Sequence, residues 1–379
     1  MTNLDAVLPA SDGSPASDGS PASDRYPAAG ASTPASPDGG RLADSGKLAD
    51  SGKLADSGGE LAGGGELAPA RPLGPPVRDP DAGWQLTRYA DVAAALEDDR
   101  LAVPPVPPGT PGTMAGLRAT VARFSAGEAH ARRRALVSAD LPDPARLRAE
   151  AYDRTAGILE RSAGPVDVLD RLARVVPVAV LAARLGAGPA AVPAVREVAA
   201  AYPPGGPAAR DRNADSALAA LVRLLPPAPA EVVANRIGLL VQSCDATAGL
   251  IGNALLRTQT ADGAGIDQLL VDTLRYAPPV RLTRRVVVAP VRIGGRRLSP
   301  GEPVVLWFET ANGDPDAGPD VLTFGAGSHR CPGAAQALAL AGGVLAAIRA
   351  RCRFDPPATV HFEASPNARI PRFLEVFPR

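Results

Sequence analysis

Only three cysteines stand in this chain of 379 residues, Cys244, Cys331 and Cys352. They are too few and too widely spaced for a disulfide framework or a zinc site, and they point to a reducing, cytoplasmic setting. Lysine is nearly absent: of 40 basic residues only Lys47 and Lys53 are not arginine, a bias that GC-rich coding sequence imposes. Aromatic residues make up 4% of the chain and the formal net charge is +0, which argues against a base-stacking or phosphate-tracking surface and so against nucleic acid as a partner. No run of about 18 uninterrupted apolar residues occurs, nor does a basic segment followed by an apolar one at the N-terminus, so neither a membrane span nor a signal peptide is predicted.

The balanced charge is unevenly spread. Residues 1–70 hold ten acidic and four basic side chains, leaving a modest basic excess that suits an acidic protein partner. Residues 1–68 are low complexity, with Ala10–Pro15 repeated at Ala16–Pro21, and Leu42–Lys47 repeated at Leu48–Lys53 and in part at Leu54–Gly58. So little apolar mass cannot offset the entropy of ordering, and a disordered tail is predicted ahead of one ordered domain, 69–379. The recurring Leu42, Leu48 and Leu54 leave open a docking segment.

In the ordered part, 83–89 alternates as a short strand, and Asp91 reads as the N-cap of a helix over 92–97. Helices are predicted over 128–137, 150–163, 166–185 and 190–201. The longest apolar helical pattern runs from 230 to 256, and a helix so apolar on all sides must be central. Asp245 interrupts it together with Gln242, Ser243 and Thr247, and a buried acid requires a wet cavity or a charged partner. Asp272 and Arg275 sit three apart on a helix that Pro278 ends, an ordinary surface ion pair by itself. Strands over 286–291, 296–298 and 303–308 turn at Gly294-Gly295 and Pro300-Gly301, and a helix follows over 334–350.

Chemistry concentrates in Phe324-Gly-Ala-Gly-Ser-His-Arg-Cys-Pro-Gly333. Cys331 lies in a glycine-rich turn beside His329 and Arg330, just before a helix, surroundings that favour a thiolate, while the glycines admit close approach of a flat cofactor. A buried structural cysteine is the plain alternative. Upstream, His130 and Arg134 share a helix face with Arg132 and Arg133 nearby, by themselves a solvated basic face.

The pattern Phe324-x-x-Gly327-x-His329-x-Cys331-x-Gly333 resembles the cysteine-ligand loop of the cytochrome P450 family. Three further blocks resemble that family in order: the segment at 242–246, the Asp272-x-x-Arg275 helix with Pro278-Pro279-Val280, Thr283-x-Arg285 and Ile293-Gly294-Gly295, and Asn312-x-Asp314-Pro315. The resemblance covers about 70–379 and implies a mainly α fold with a minor β portion, a single P450-like domain, compact because 200–212, 257–268 and the meander at 315–323 are short. It implies haem b (iron protoporphyrin IX) with Cys331 as iron ligand, a thiolate that pushes electron density to favour O–O cleavage. Phe324, Gly327 and Gly333 shape the loop, and His130, Arg134, Arg285 and His329 meet the propionates.

Asp245 is the implied proton donor, with Ala246 where the family has a hydroxyl, and Ser243 or Thr247 as candidates to replace it. Asp272 stands for the family's glutamate in the ion pair with Arg275, one methylene short, and the arginine expected in the meander is absent. The implied activity is that of a monomeric monooxygenase-type oxidoreductase, with electrons from NAD(P)H passing through a ferredoxin reductase and a ferredoxin that meets Arg330 and Arg351. The substrate is a small molecule or peptide of natural-product type, hydroxylated or oxidatively coupled. The alternative is a non-catalytic or peroxide-dependent haem-binding protein derived from the family.

Overall fold

The structure, a computed structural model, describes residues 70–258 and 264–379. The predicted tail at 1–68 lies outside the described residues.

An antiparallel pair, β1 (Val77–Asp79) and β2 (Gly83–Leu86), leads into α1 (Tyr89–Glu97). Asp91 is not the N-cap of α1; Arg88 holds that position, and Asp91 lies inside the first turn. The reason is a cap brought from elsewhere, because the Asp314 carboxylate accepts the Tyr89 amide at 2.9 Å. After β3 (Leu101–Ala102) come α2 (Met114–Thr120), α3 (Gly127–Ala139) and α4 (Pro144–Glu160). The last begins six residues before the expected start, since Asp143 accepts the Ala145 amide and Pro144 is preset for a first turn.

The helix predicted over 166–185 is divided. Val166–Asp167 forms β4 and pairs with β10 (Glu375–Pro378), the Asp167 carboxylate accepts the amides of Leu169 and Asp170, and a π-turn over Val168–Ala173 precedes α5 (Val176–Arg184). Next are α6 (Val192–Ala201) and α7 (Ala208–Leu224). The latter was not anticipated, for it buries only the narrow stripe Ala214, Leu218 and Leu221.

The long apolar stretch is likewise two helices, α8 (Ala230–Gln242) and α9 (Asp245–Arg257), broken at Ser243–Cys244. There the Ser243 hydroxyl donates to the Leu240 carbonyl at 2.7 Å, a local bond that competes with helix continuation. By length and hydropathy 230–257 could cross a membrane, but 72% of its apolar window is buried inside the protein. It is a core element.

The rest comprises α10 (Ile266–Tyr276), β5 (Leu282–Val287), β6 (Val291–Ile293), β7 (Arg296–Leu298), β8 (Pro303–Trp307), α11 (Phe308–Asn312), α12 (Ala334–Arg351) and β9 (Cys352–Phe354). The strand expected at 286–291 is split between β5 and β6 by a bend at Val288–Ala289 ahead of Pro290, which has no amide to donate. A five-stranded sheet runs β1-β2-β8-β5-β3, β4-β10-β9 form a second sheet, and β6-β7 a hairpin. Three apolar clusters result: one joins α4, α9, α10 and α12, one joins α2 with α5 to α8, and one lies between the large sheet and α1.

Candidate functional site

The loop before α12 is wound tightly. Phe324 ends a 3-10 turn, Gly325 and Gly327 take φ of +71° and +64°, and a second 3-10 turn spans Gly327–His329. The Cys331 amide donates to the Phe324 carbonyl at 2.7 Å, closing the loop, and Gly333 is the N-cap of α12. Gly327 presses against α1, where a β-carbon would lie 2.7 Å from the Leu96 carbonyl oxygen.

Solvent reaches the Cys331 side chain, yet it is surrounded by enough protein for burial to push its thiol pKa up. Both hold for a group at the floor of a recess. The Gly333 amide, then Arg123, Arg134 and Arg330, act in the opposite sense and favour thiolate. Cys244 and Cys352 are buried, and burial drives the Cys244 thiol to about 12.

His130, Arg134, Arg285 and His329, distant in sequence, converge beside this recess. The rings of His130 and His329 stack with centroids 3.8 Å apart. Burial lowers the pKa of both, that of His329 to about 4, with His130, Arg285 and Arg134 adding their repulsion. Arg285 is buried, its pKa lowered to about 10 by burial and by Arg123, and among the described residues it donates only to the Thr283 hydroxyl and the Arg284 carbonyl. A buried guanidinium without a carboxylate is costly in isolation. Basic groups that depress one another, beside a cysteine open to a recess, fit a dianionic ligand with a metal that takes one thiolate. No group of three or more His, Cys, Asp or Glu side chains is placed to hold a metal among the described residues.

These shifts give a pH prediction. The folded imidazoles are neutral at pH 7, whereas unfolded ones titrate near 6.5, so as pH falls the unfolded state takes up protons first. Stability is present in full above about pH 6.5 and is lost toward about 4. The melting temperature of haem-free protein should fall between pH 7.5 and 5, and His329→Gln should flatten that fall; an unchanged slope in the variant would contradict the assignment.

Asp245 has a charged partner, although its side chain is not buried as the sequence suggested. The Arg174 Nε lies 3.2 Å from its carboxylate, and the same guanidinium reaches Glu363 at 2.6 Å. The Asp245 side chain keeps 44% of its surface exposed, while that of Arg174 keeps 11%. The neighbouring hydroxyls are engaged or averted: Ser243 bonds the Leu240 carbonyl, and Thr247 is 2% exposed. Nothing in the spacing announces Arg174, Glu363 or Arg123. The only signal was the requirement that Asp245 be paired.

One expected pair is not formed. Asp272 accepts from the Gln268 amide, four residues back, at 2.9 Å, and Arg275 donates to the carbonyls of Asn312, Gly318 and Pro319. The shorter acid is satisfied on its own helix, and Arg275 instead ties down the short loop after α11. That loop is also pinned by Asn312, which donates to Leu274 and Thr323 and accepts the Leu322 amide at 2.7 Å. Asp272→Ala should therefore change stability by less than about 0.5 kcal/mol, and Arg275→Ala should cost about 1–3 kcal/mol. Urea unfolding checks this, and a large loss in Asp272→Ala would restore the pair. Arg351, expected on a basic face, is committed to Glu160 at 2.7 Å.

Comparison with known proteins bears on the fold and on part of the sequence. No protein-family model matches the chain. A putative cytochrome P450 133B1 of Xylella fastidiosa is 31% identical over 124 residues, 27% of this chain and 31% of that protein. The chain thus spans about a third of the length of the curated relatives it matches. Among solved structures, CalO2 superposes with a TM-score of 0.70 at 22% identity, covering 80% of this chain and 93% of the other. Epothilone D-bound cytochrome P450epoK superposes with a TM-score of 0.66 at 22% identity, with the same coverage. The chain thus has the fold of a bacterial cytochrome P450, and part of its sequence is related to the bacterial cytochromes P450.

Proposed function

We propose that the chain is a haem-thiolate oxidoreductase that oxidises a small natural product. The observation carrying this reading is Cys331, reached by solvent, beside a cationic cluster that has no acid of its own among the described residues. Cys331 would hold iron as thiolate, and His130, Arg134, Arg285 and His329 would receive the two propionates of haem b. When bound, haem supplies the iron chemistry for dioxygen activation, with electrons from NAD(P)H through a ferredoxin reductase and a ferredoxin. A monomer in the cytoplasm is the corresponding setting.

Asp245 is the residue that would pass protons. Arg174 orients its carboxylate, and its partial exposure leaves it open to water. The next step of a relay is missing from the protein: position 246 is alanine, the Ser243 hydroxyl is engaged, and Thr247 is buried. A hydroxyl of the substrate supplies that step in our reading, which suits a phenolic or hydroxylated natural product, as hydroxylation or oxidative coupling. The similar structure of cytochrome P450epoK holds bound epothilone D.

The test compares product formed per NAD(P)H for a hydroxylated substrate and for its analogue lacking that hydroxyl. The substrate should couple tightly, the analogue should waste reductant as peroxide, and Ala246→Thr should rescue the analogue more than the substrate. Equal gains for both, or loss of coupling in Ser243→Ala alone, would assign the relay to the protein. The same missing hydroxyl favours a second reading, a non-catalytic or peroxide-dependent haem-binding protein, which predicts no dioxygen turnover with any redox partner.

A further inference from the structure

The hairpin of β6 and β7 sets two like charges against each other. Arg292 stands directly opposite Arg297 in its register, and cross-strand neighbours share a face, so two guanidiniums leave the hairpin side by side. Like charges placed directly opposite are destabilising. Both side chains are exposed, and among the described residues neither makes a hydrogen bond or an ion pair. With Arg100, Pro290 and Val291 they line an open recess of about 420 Å³.

The acids near this recess are engaged elsewhere. Asp98 holds Arg100 through both carboxylate oxygens, at 2.9 and 2.6 Å. Glu302 accepts from Trp84 and from the Ser299 amide and pairs with Arg78. Asp91 lies against the hairpin turn, where one of its oxygens would be 2.7 Å from a β-carbon at Gly294, and that oxygen is buried without a partner. It pairs with neither arginine. The described residues therefore leave the charge of Arg292 and Arg297 unbalanced.

Covalent connection brings acids to this place. Pro76 packs on the hairpin turn, since a β-carbon at Gly294 would lie 2.6 Å from its ring. Gly294 is two residues from Arg292, about 7 Å along a strand. Upstream of Pro76 the chain is tied at Gly74, whose amide donates to the Thr87 hydroxyl, and at Arg71, whose carbonyl accepts from Thr310. From Leu54 to Ala70 stand the acids Asp56, Glu60 and Glu66 and no basic residue. Ala70 is six residues from Pro76, a separation of at most about 20 Å, whereas the ten residues from Glu60 to Ala70 can span about 33 Å. Glu60 therefore reaches the recess, and Asp56 has four residues more.

We propose that the segment 54–62 docks on the hairpin of β6 and β7, with the carboxylates of Asp56 and Glu60 seated between Arg292 and Arg297. A guanidinium meets a carboxylate with two parallel hydrogen bonds, and the short tether holds these acids near the hairpin at about millimolar effective concentration. Exposed ion pairs are weak singly and are screened by salt, so the contact is reversible and salt-sensitive. Neither the site nor its test involves haem.

The experiment is amide hydrogen exchange of the full chain, read by mass spectrometry over 54–62 and compared with a synthetic peptide of that sequence. At low salt, about 20 mM, these amides should exchange roughly 3- to 10-fold more slowly in the chain than in the peptide, the range that two exposed ion pairs allow. At about 500 mM salt the difference should vanish. The double variant Arg292→Gln, Arg297→Gln should exchange at the peptide rate, while Arg223→Gln, an exposed arginine in the last turn of α7, should keep the protection. Reversing both sides, with Arg292→Glu and Arg297→Glu against Asp56→Arg and Glu60→Arg, should restore it. Exchange over α9 and α12 in the same samples reports that each variant is folded. Peptide-rate exchange in the unaltered chain, protection that survives in the double glutamine variant, or no recovery in the charge-reversed chain would overturn the proposal.

Discussion

Replacing Cys331 by serine is expected to abolish the thiolate-type ferrous-CO band, whereas Cys244→Ser and Cys352→Ser should leave it in place. The difference is one of environment. Cys331 is reached by solvent, receives the Gly333 amide, and faces Arg123, Arg134 and Arg330, all of which favour the thiolate over the thiol. A metal would complete the deprotonation that burial resists. Cys244 is buried in the cluster of α2 and α5 to α8, its thiol pKa driven to about 12 by burial and by the negative charge of Asp245. Cys352 starts β9 and is buried where that strand pairs with β10. Neither is reached by solvent, so neither can present its sulfur to an incoming metal. Retention of the band in Cys331→Ser, or its loss in Cys244→Ser, would move the iron ligand elsewhere and remove the basis for the proposed function.

The second large effect is expected at Gly327. Valine there must adopt φ near +64° and place its β-carbon 2.7 Å from the Leu96 carbonyl oxygen and 3.1 Å from the Glu97 Cα. Left-handed backbone at a β-branched residue and overpacking against fixed backbone together cost about 2–4 kcal/mol. Gly325→Ala is the useful comparison. Its φ is +71°, but the nearest atom, the His329 carbonyl oxygen, is 3.6 Å away, so conformation alone is charged, about 1–2 kcal/mol. Urea unfolding midpoints at constant slope measure both, with haem retention followed in parallel. Equal losses in the two variants would mean that the contact with α1 contributes nothing.

Short-range chemistry in the sequence determined a good deal. The loop from Phe324 to Gly333 declares itself because glycines, His329 and Cys331 recur at fixed steps, and Gly325 and Gly327 do take positive φ. Apolar periodicity located α3, α6 and α12 closely and marked α8 and α9 as central. The rule that a buried acid needs a partner pointed to a charged neighbour for Asp245; the neighbour is there, but the side chain keeps 44% of its surface exposed. The rule says nothing of the partner's identity, and Arg174 arrives from 71 residues earlier because a π-turn after β4 aims it there.

Tertiary structure alone decided the rest. Asp272 and Arg275 have the spacing of an ion pair, yet each finds a competing partner, the Gln268 amide on the same helix and carbonyls 37 to 44 residues away. Asp91 reads as a cap, but Asp314 reaches across to the Tyr89 amide first. The pattern around Ser243 is helical, and only the local hydroxyl bond to Leu240 shows that the helix stops there. Arg284 and Arg285 are adjacent and chemically identical. Strand alternation and pairing with β8 bury one beside the histidines and leave the other exposed on the opposite face, because a period of two separates neighbours to opposite faces and only the folded sheet gives each face its surroundings.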